Sequence, residues 1–183
     1  MLPFLALTAQ DPPSLARFLT HSERFRARFG EVQRAAAVQV LQHLGWRPAR
    51  IDSKKRPLGR FCMRLQHCFE TLALEADETS DKKRRDTATS LLQAFSGANA
   101  SRLVLAGMIA DLAHEHAVWV RAFDVDSPEP TSIKMATQTF VQRIRLLFRD
   151  GVILTHAAQD TFTGKVLEFL KEAGSVHCVA FLV

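Results

Sequence analysis

Apolar residues recur along most of the chain at steps of three and four, the period of a helix that turns one face to a core. The cleanest stretch opens at Pro57, where Leu58, Phe61, Cys62, Leu65, Cys68, Phe69, Leu72 and Ala76 keep that spacing and Arg60, Arg64, His67 and Thr71 line the opposite side. This predicts one amphipathic helix of almost twenty residues. Before it, Asp11-Pro12-Pro13 offers a capping carboxylate followed by prolines whose missing donors matter little in a first turn. Leu15, Phe18, Leu19, Phe25 and Phe29 then share a face. Gly30 should end or bend that helix. Residues 31–44 should continue as a second one, with Ala37, Val40, Leu41 and Leu44 buried and Gly45 as the stop.

After Pro57 the pattern repeats. Ser80-Asp81 caps a helix reaching Ser96, with Ala88, Leu91, Leu92 and Phe95 inward. Ser101–Phe123 is the most apolar run. Leu103, Leu105, Met108, Ile109, Leu112, Val118, Trp119 and Phe123 surround it almost completely, which predicts a central helix buried on most faces. Arg102, Asp111, His114, Glu115, His116 and Arg121 interrupt it, which argues against a bilayer span. Thr131 or Ser132 starts a helix to Asp150, with Ile133, Ala136, Phe140, Val141, Ile144, Leu147 and Phe148 inside and Lys134, Gln138, Gln142, Arg145 and Arg149 outside. Asp160 or Thr161 starts the last, with Phe162, Val166, Phe169, Leu170 and Ala173 inward and Gly174 as its stop.

Seven helical segments joined by short polar breaks define an all-α fold, expected as a compact bundle of antiparallel helices. A short solenoid of helical hairpins is the runner-up, although no pattern recurs at a fixed period. A chain of 183 residues suffices for a single domain with a real core, and the polar stretch 124–130, DVDSPEP, is the one candidate internal boundary. Residues 1–9 have no helical period and are expected as a short strand or an extended arm, and the apolar, β-prone tail 175–183 as a short strand that pairs with residues 2–8.

Charge changes the picture. Residues 1–66 hold twelve Lys/Arg against four Asp/Glu, whereas residues 67–183 hold twelve against fifteen. The basic third should attract a polyanion or an acidic protein surface. Lys54, Lys55, Arg56, Arg60 and Arg64 run from a connector onto a helix face, a ribbon able to follow a phosphate backbone. Arg24 and Arg28, and the cluster Lys82, Lys83, Arg84 and Arg85, extend it if the fold brings them near. The bland alternative for each cluster is a solvated face that keeps the protein soluble. Lysine and arginine without exposed aromatics, in a chain with no tyrosine, point to backbone contact rather than stacked bases.

Candidate chemistry is sparse. His114 and His116 stand at i and i+2, about 200° apart on a helix, and cannot share one ion there. Asp111, His114 and Glu115 do share a face, so a metal-dependent enzyme using them is a remote alternative. Cys62 and Cys68 lie on an apolar face as small hydrophobes. With Cys178 the count is odd, which speaks against a disulfide framework and for a reducing, intracellular compartment. The N-terminus lacks the basic leader of a secretory signal. Arg17, Arg24, Arg26 and Arg28 have the composition of a mitochondrial presequence, but a folded first helix is the preferred reading. No phosphate-cradling glycine loop, nucleophile elbow or kinase motif occurs.

The expectation is therefore a non-catalytic basic helical protein, without cofactor or metal, that binds RNA (less readily DNA), as a subunit of a ribonucleoprotein assembly. The alternative is an adaptor or regulatory subunit that docks an acidic protein partner.

Overall fold

The computed structural model describes residues 22–41, 55–124, 127 and 129–175. The predicted terminal strands, the start of the first helix at Asp11 and the connector holding Lys54 lie outside the described residues. Within them the fold is all-α: α1 (Glu23–Ala35), α2 (Lys55–Met63), α3 (Leu65–Glu78), α4 (Lys82–Ala94), α5 (Ser101–Arg121), α6 (Pro130–Ile144) and α7 (Phe162–Ser175), with no strand among the described residues. A π-helical segment, Arg145–Arg149, continues α6, and short 3-10 turns at Val152–Leu154 and His156–Ala158 lead to α7.

Seven helices were expected and seven occur among the described residues, for partly different reasons. Backbone at Ser22 is extended and its hydroxyl accepts from the Phe25 amide, so α1 begins there and is no continuation of a helix from Asp11. Gly30 neither ends nor bends it: the space a side chain would fill is taken by the Arg34 guanidinium, 3.3 Å from the site of a Cβ. The helix stops instead at Ala36 and at Ala37, which adopts φ 54°. Gln33 imposes that turn. Its fully buried amide accepts from the Leu41 N–H at 2.8 Å and donates to the Leu41 carbonyl at 3.3 Å, drawing residues 38–41 back along the helix. Of the predicted helix over 31–44, residues 31–35 complete α1, residues 36–41 form a return loop, and residues 42–44 lie outside the described residues.

The long helix from Pro57 splits at Arg64, whose backbone (φ −125°, ψ 26°) leaves the helical region before α3 resumes. Its apolar period survives the break, because Leu58, Phe61, Cys62, Leu65, Cys68, Phe69 and Leu72 are all buried in one cluster. Rings bind the layers together: Phe95 from the end of α4 lies against Phe61 and Phe69, and Phe69 against Phe169 of α7, at centroid distances of 5.6–6.3 Å. α3 and α4 form a hairpin whose turn is capped by Asp81, accepting from the Arg84 amide as the sequence implies. α1 runs antiparallel to α3, with Arg28 near Glu75 and Gln39 near Arg64.

The largest departure is α5. It was expected to be surrounded, yet it buries one narrow stripe, Leu103, Ala106, Gly107, Ala110, Asp111 and Ala113, while Leu105 and Val118 are 45% and 49% exposed. Leu103 is buried as expected, but small residues make most of the tight side, because α7 approaches to backbone contact: a Cβ on Gly107 would stand 2.8 Å from the Thr163 Cα. Asp111 locks the approach. Its carboxylate accepts from the backbone amides of Phe162 and Thr163 and from the Thr163 hydroxyl at 2.7–2.9 Å, capping α7 from another helix.

Candidate functional site

Ten of the eleven cations singled out in the sequence lie among the described residues, and these ten do not form one patch. Arg28 and Arg84 turn inward onto Glu75, whose side chain is only 3% exposed. Arg84 donates to it at 2.6 Å, while Arg28 stands 3.5 Å from Glu75 and 3.1 Å from Glu78. A cleft of about 320 Å³ beside them is lined by Arg24, Arg28 and Arg84 and also by Glu31, Glu75 and Glu78, so its charges balance. An internal ion-pair cluster of this kind ties α1, α3 and α4 together and leaves little field for a phosphate. Lys82, Lys83 and Arg85 are exposed on the opening turn of α4.

The other group sits at the far end of α3. Arg64 donates to the carbonyls of Met63 and Gln39, both at 3.1 Å, and so holds the return loop after α1. Arg60 is half-buried on α2. Arg64 precedes the first turn of α3 and Arg84 meets Glu75 toward its end, so the helix holds the two groups about 16 Å apart along its axis. Lys55 and Arg56 open α2, which packs on α5, the helix that ends at Arg121. Burial, then Arg121, then Arg56, lowers the Lys55 pKa from its ordinary value. Arg121 was absent from the sequence-derived set. No local signal marks it, since it reaches Lys55 only through the packing of α2 on α5.

The residues of the metal alternative face separate tasks. Asp111 caps α7, Glu115 pairs with Arg143 at 2.9 Å, and the His114 ring lies edge-on to Phe162 with centroids 6.2 Å apart. Burial, with Lys55 as the next cause, lowers the His114 pKa. No group of three or more His, Cys, Asp or Glu side chains suited to a metal ion occurs among the described residues. Cys62 and Cys68 are buried free thiols, and burial pushes Cys68 up to about 12. Neither is an accessible nucleophile.

The most distinctive surface is apolar. α6 was expected to bury Ile133, Ala136, Phe140, Val141 and Ile144, but it has no buried residue at all. It is fastened to α5 by three specific contacts: Trp119 stacks on Phe140 at 5.1 Å, the Trp119 indole donates to the Thr137 hydroxyl at 3.2 Å, and Arg143 donates to Glu115. Leu147 is the one predicted inward residue of this stretch that is buried. Of the ten large apolar side chains exposed among the described residues, seven lie between Leu105 and Leu154, with Met135 63% and Leu154 55% exposed. Charge there is one-sided. From Pro130 to Arg149 there are four cations and no carboxylate. Arg143 and Arg149 have acidic partners, whereas Lys134 and Arg145 have none among the described residues.

Set against protein-family models, curated proteins and solved structures, the chain matches none.

Proposed function

We propose that the protein is a non-catalytic helical interaction module, and that the exposed edge of α6 docks an acidic amphipathic helix from a partner protein. One observation carries this reading: a fifteen-residue helix with an apolar stripe has no buried residue, in a strip of chain that holds cations and no acid. Val141 stands exposed on the same side as Lys134 and Arg145, which follow helical spacing, and Met135 and Leu146 stand exposed on the adjoining face about 100° away. A partner helix with leucines at i, i+3, i+4 and i+7 would remove the apolar side chains from water, and flanking carboxylates would meet the cations. A second copy of this chain fits less well, because it would set cations against cations.

The test compares two labelled synthetic helices with the same leucine face, one flanked by glutamates and one by lysines. The acidic peptide is expected to bind, and both Val141→Glu with Leu146→Glu and Lys134→Glu with Arg145→Glu should weaken it by about tenfold or more, roughly 1.4 kcal/mol. Equal binding of the two peptides, binding of neither, or indifference to both pairs of substitutions would contradict the proposal.

A further inference from the structure

α6 stands between an inner face on the body and an outer edge in water. Ile133, Ala136, Thr137, Phe140 and Ile144 are half-buried, while Lys134, Met135, Val141, Arg145 and Leu146 are exposed. Little in its own sequence keeps it helical. Fifteen residues are about the length at which an isolated helix is marginal in water. Thr131, Ile133, Thr137, Thr139, Val141 and Ile144 are β-branched, which lowers helix propensity. Pro130 opens the helix favourably, but its first turn holds no acid and the Glu129 side chain does not cap it.

The body supplies what the sequence lacks. A single turn of α5, from Glu115 to Trp119, latches successive turns of α6: Thr137 through the Trp119 indole, Phe140 through ring stacking and Arg143 through Glu115. Beyond Ile144 the ladder changes to the π-helical segment, whose Leu147 is buried and where the Asp150 N–H donates to the Arg145 carbonyl at 2.9 Å. A change of ladder is a place where a helix bends. Leu147 is therefore a fixed end, and Pro130 to Ile144 form a strap that closes on α5 from it. Lys134, Val141 and Arg145 share one side only while the strap is helical, so closing the latch assembles the outer edge. Linkage makes this mutual: whatever binds the edge also favours the closed latch.

We propose that α6 is a conformational strap through which Glu115 and Trp119, on its inner side, control docking on its outer edge. The proposal rests on the acidic-helix reading of that edge and adds its regulation: opening the latch releases the partner. The apparent dissociation constant rises as the latched fraction falls. The probe is the glutamate-flanked synthetic helix, titrated with the whole protein and with two α5 variants that leave the residues of the edge in place. Trp119→Leu should weaken binding about tenfold and Glu115→Gln about threefold. The sign of the second effect separates the two explanations, because loss of a carboxylate would by itself favour an acidic peptide. Adding Thr139→Ala, at an exposed position outside the latch, raises helix propensity and should recover about two- to threefold in either variant. Both variants should also speed amide exchange across residues 133–144 and leave residues 66–76 unchanged. Unchanged or tighter binding by Glu115→Gln, no recovery with Thr139→Ala, or unaltered exchange across 133–144 would overturn the strap while the docking reading stands. Absence of binding by the unsubstituted protein would overturn both.

Discussion

Six of the seven helices among the described residues and the remaining one, α6, are held in different ways. α1–α5 and α7 share one cluster of buried side chains, with rings from α2, α3, α4 and α7 in contact and two buried carboxylates, Glu75 and Asp111, bridging separate helices. α6 contributes no buried residue and is fastened at Trp119, Thr137, Phe140, Glu115 and Arg143. Burial of many apolar groups makes a cooperative body, whereas a few directional contacts make an element that opens on its own. The lesson concerns apolar sequence. The same three-four spacing that builds the body also occurs in a helix that the body leaves half-wet, and the difference lies in what packs on it.

Substitutions should expose that difference in order of size. Glu75→Ala strands the partly buried Arg84, leaves Arg28 with Glu78 alone, and should cost about 3–5 kcal/mol, seen as a loss of the cooperative denaturation midpoint. Asp111→Ala leaves the opening amides of α7 without their acceptor and should cost about 3 kcal/mol. Gly107→Ala forces α5 from the Thr163 backbone and should cost about 1–3 kcal/mol. All three act on the body. Trp119→Ala should lower global stability by only about 1 kcal/mol while raising hydrogen exchange across residues 133–144, since it releases α6 and not the body. A loss as large as that of Glu75→Ala would place α6 inside the cooperative unit.

The smallest effect is pH-dependent. Burial lowers the pKa of both His67 and His114 from 6.5. On acidification the unfolded chain takes up these protons first. Their contribution is therefore intact above about pH 6.5 and shrinks as pH falls below it. Glu70 works against the shift at His67, with Arg64 favouring it, and both rings are partly solvated, so the melting temperature should drop modestly between pH 7 and pH 5.5. Replacing both histidines by glutamine should flatten that drop, and a melting temperature that rises on acidification would refute the assignment.

Periodicity made most of the fold legible. Phe61, Cys62, Leu65, Cys68, Phe69, Leu72, Ala88, Leu91, Phe95 and Val166 point inward as their spacing implies, and Asp81 caps α4. What periodicity cannot express is distance between helices. It gave the central role in α5 to the large side chains, whereas close approach to α7 selects Ala106, Gly107, Ala110 and Ala113. Nor does it express partnership. Arg28, Arg64 and Arg84 look like solvent-facing cations at helical steps, and only the fold sets two of them on Glu75 and the third on a carbonyl 25 residues away. Arg121 bears on the Lys55 pKa for the same reason, through the packing of α2 on α5.

Amide hydrogen exchange of the free protein, resolved to peptides, reads the division between body and edge directly. Amides of residues 133–144 should exchange at least about a hundredfold faster than those of residues 66–76 and 104–113, and an acidic amphipathic peptide should slow the first group alone. Protection in α6 equal to that in α5, unchanged by the peptide, would show a completed core with no edge left to cover.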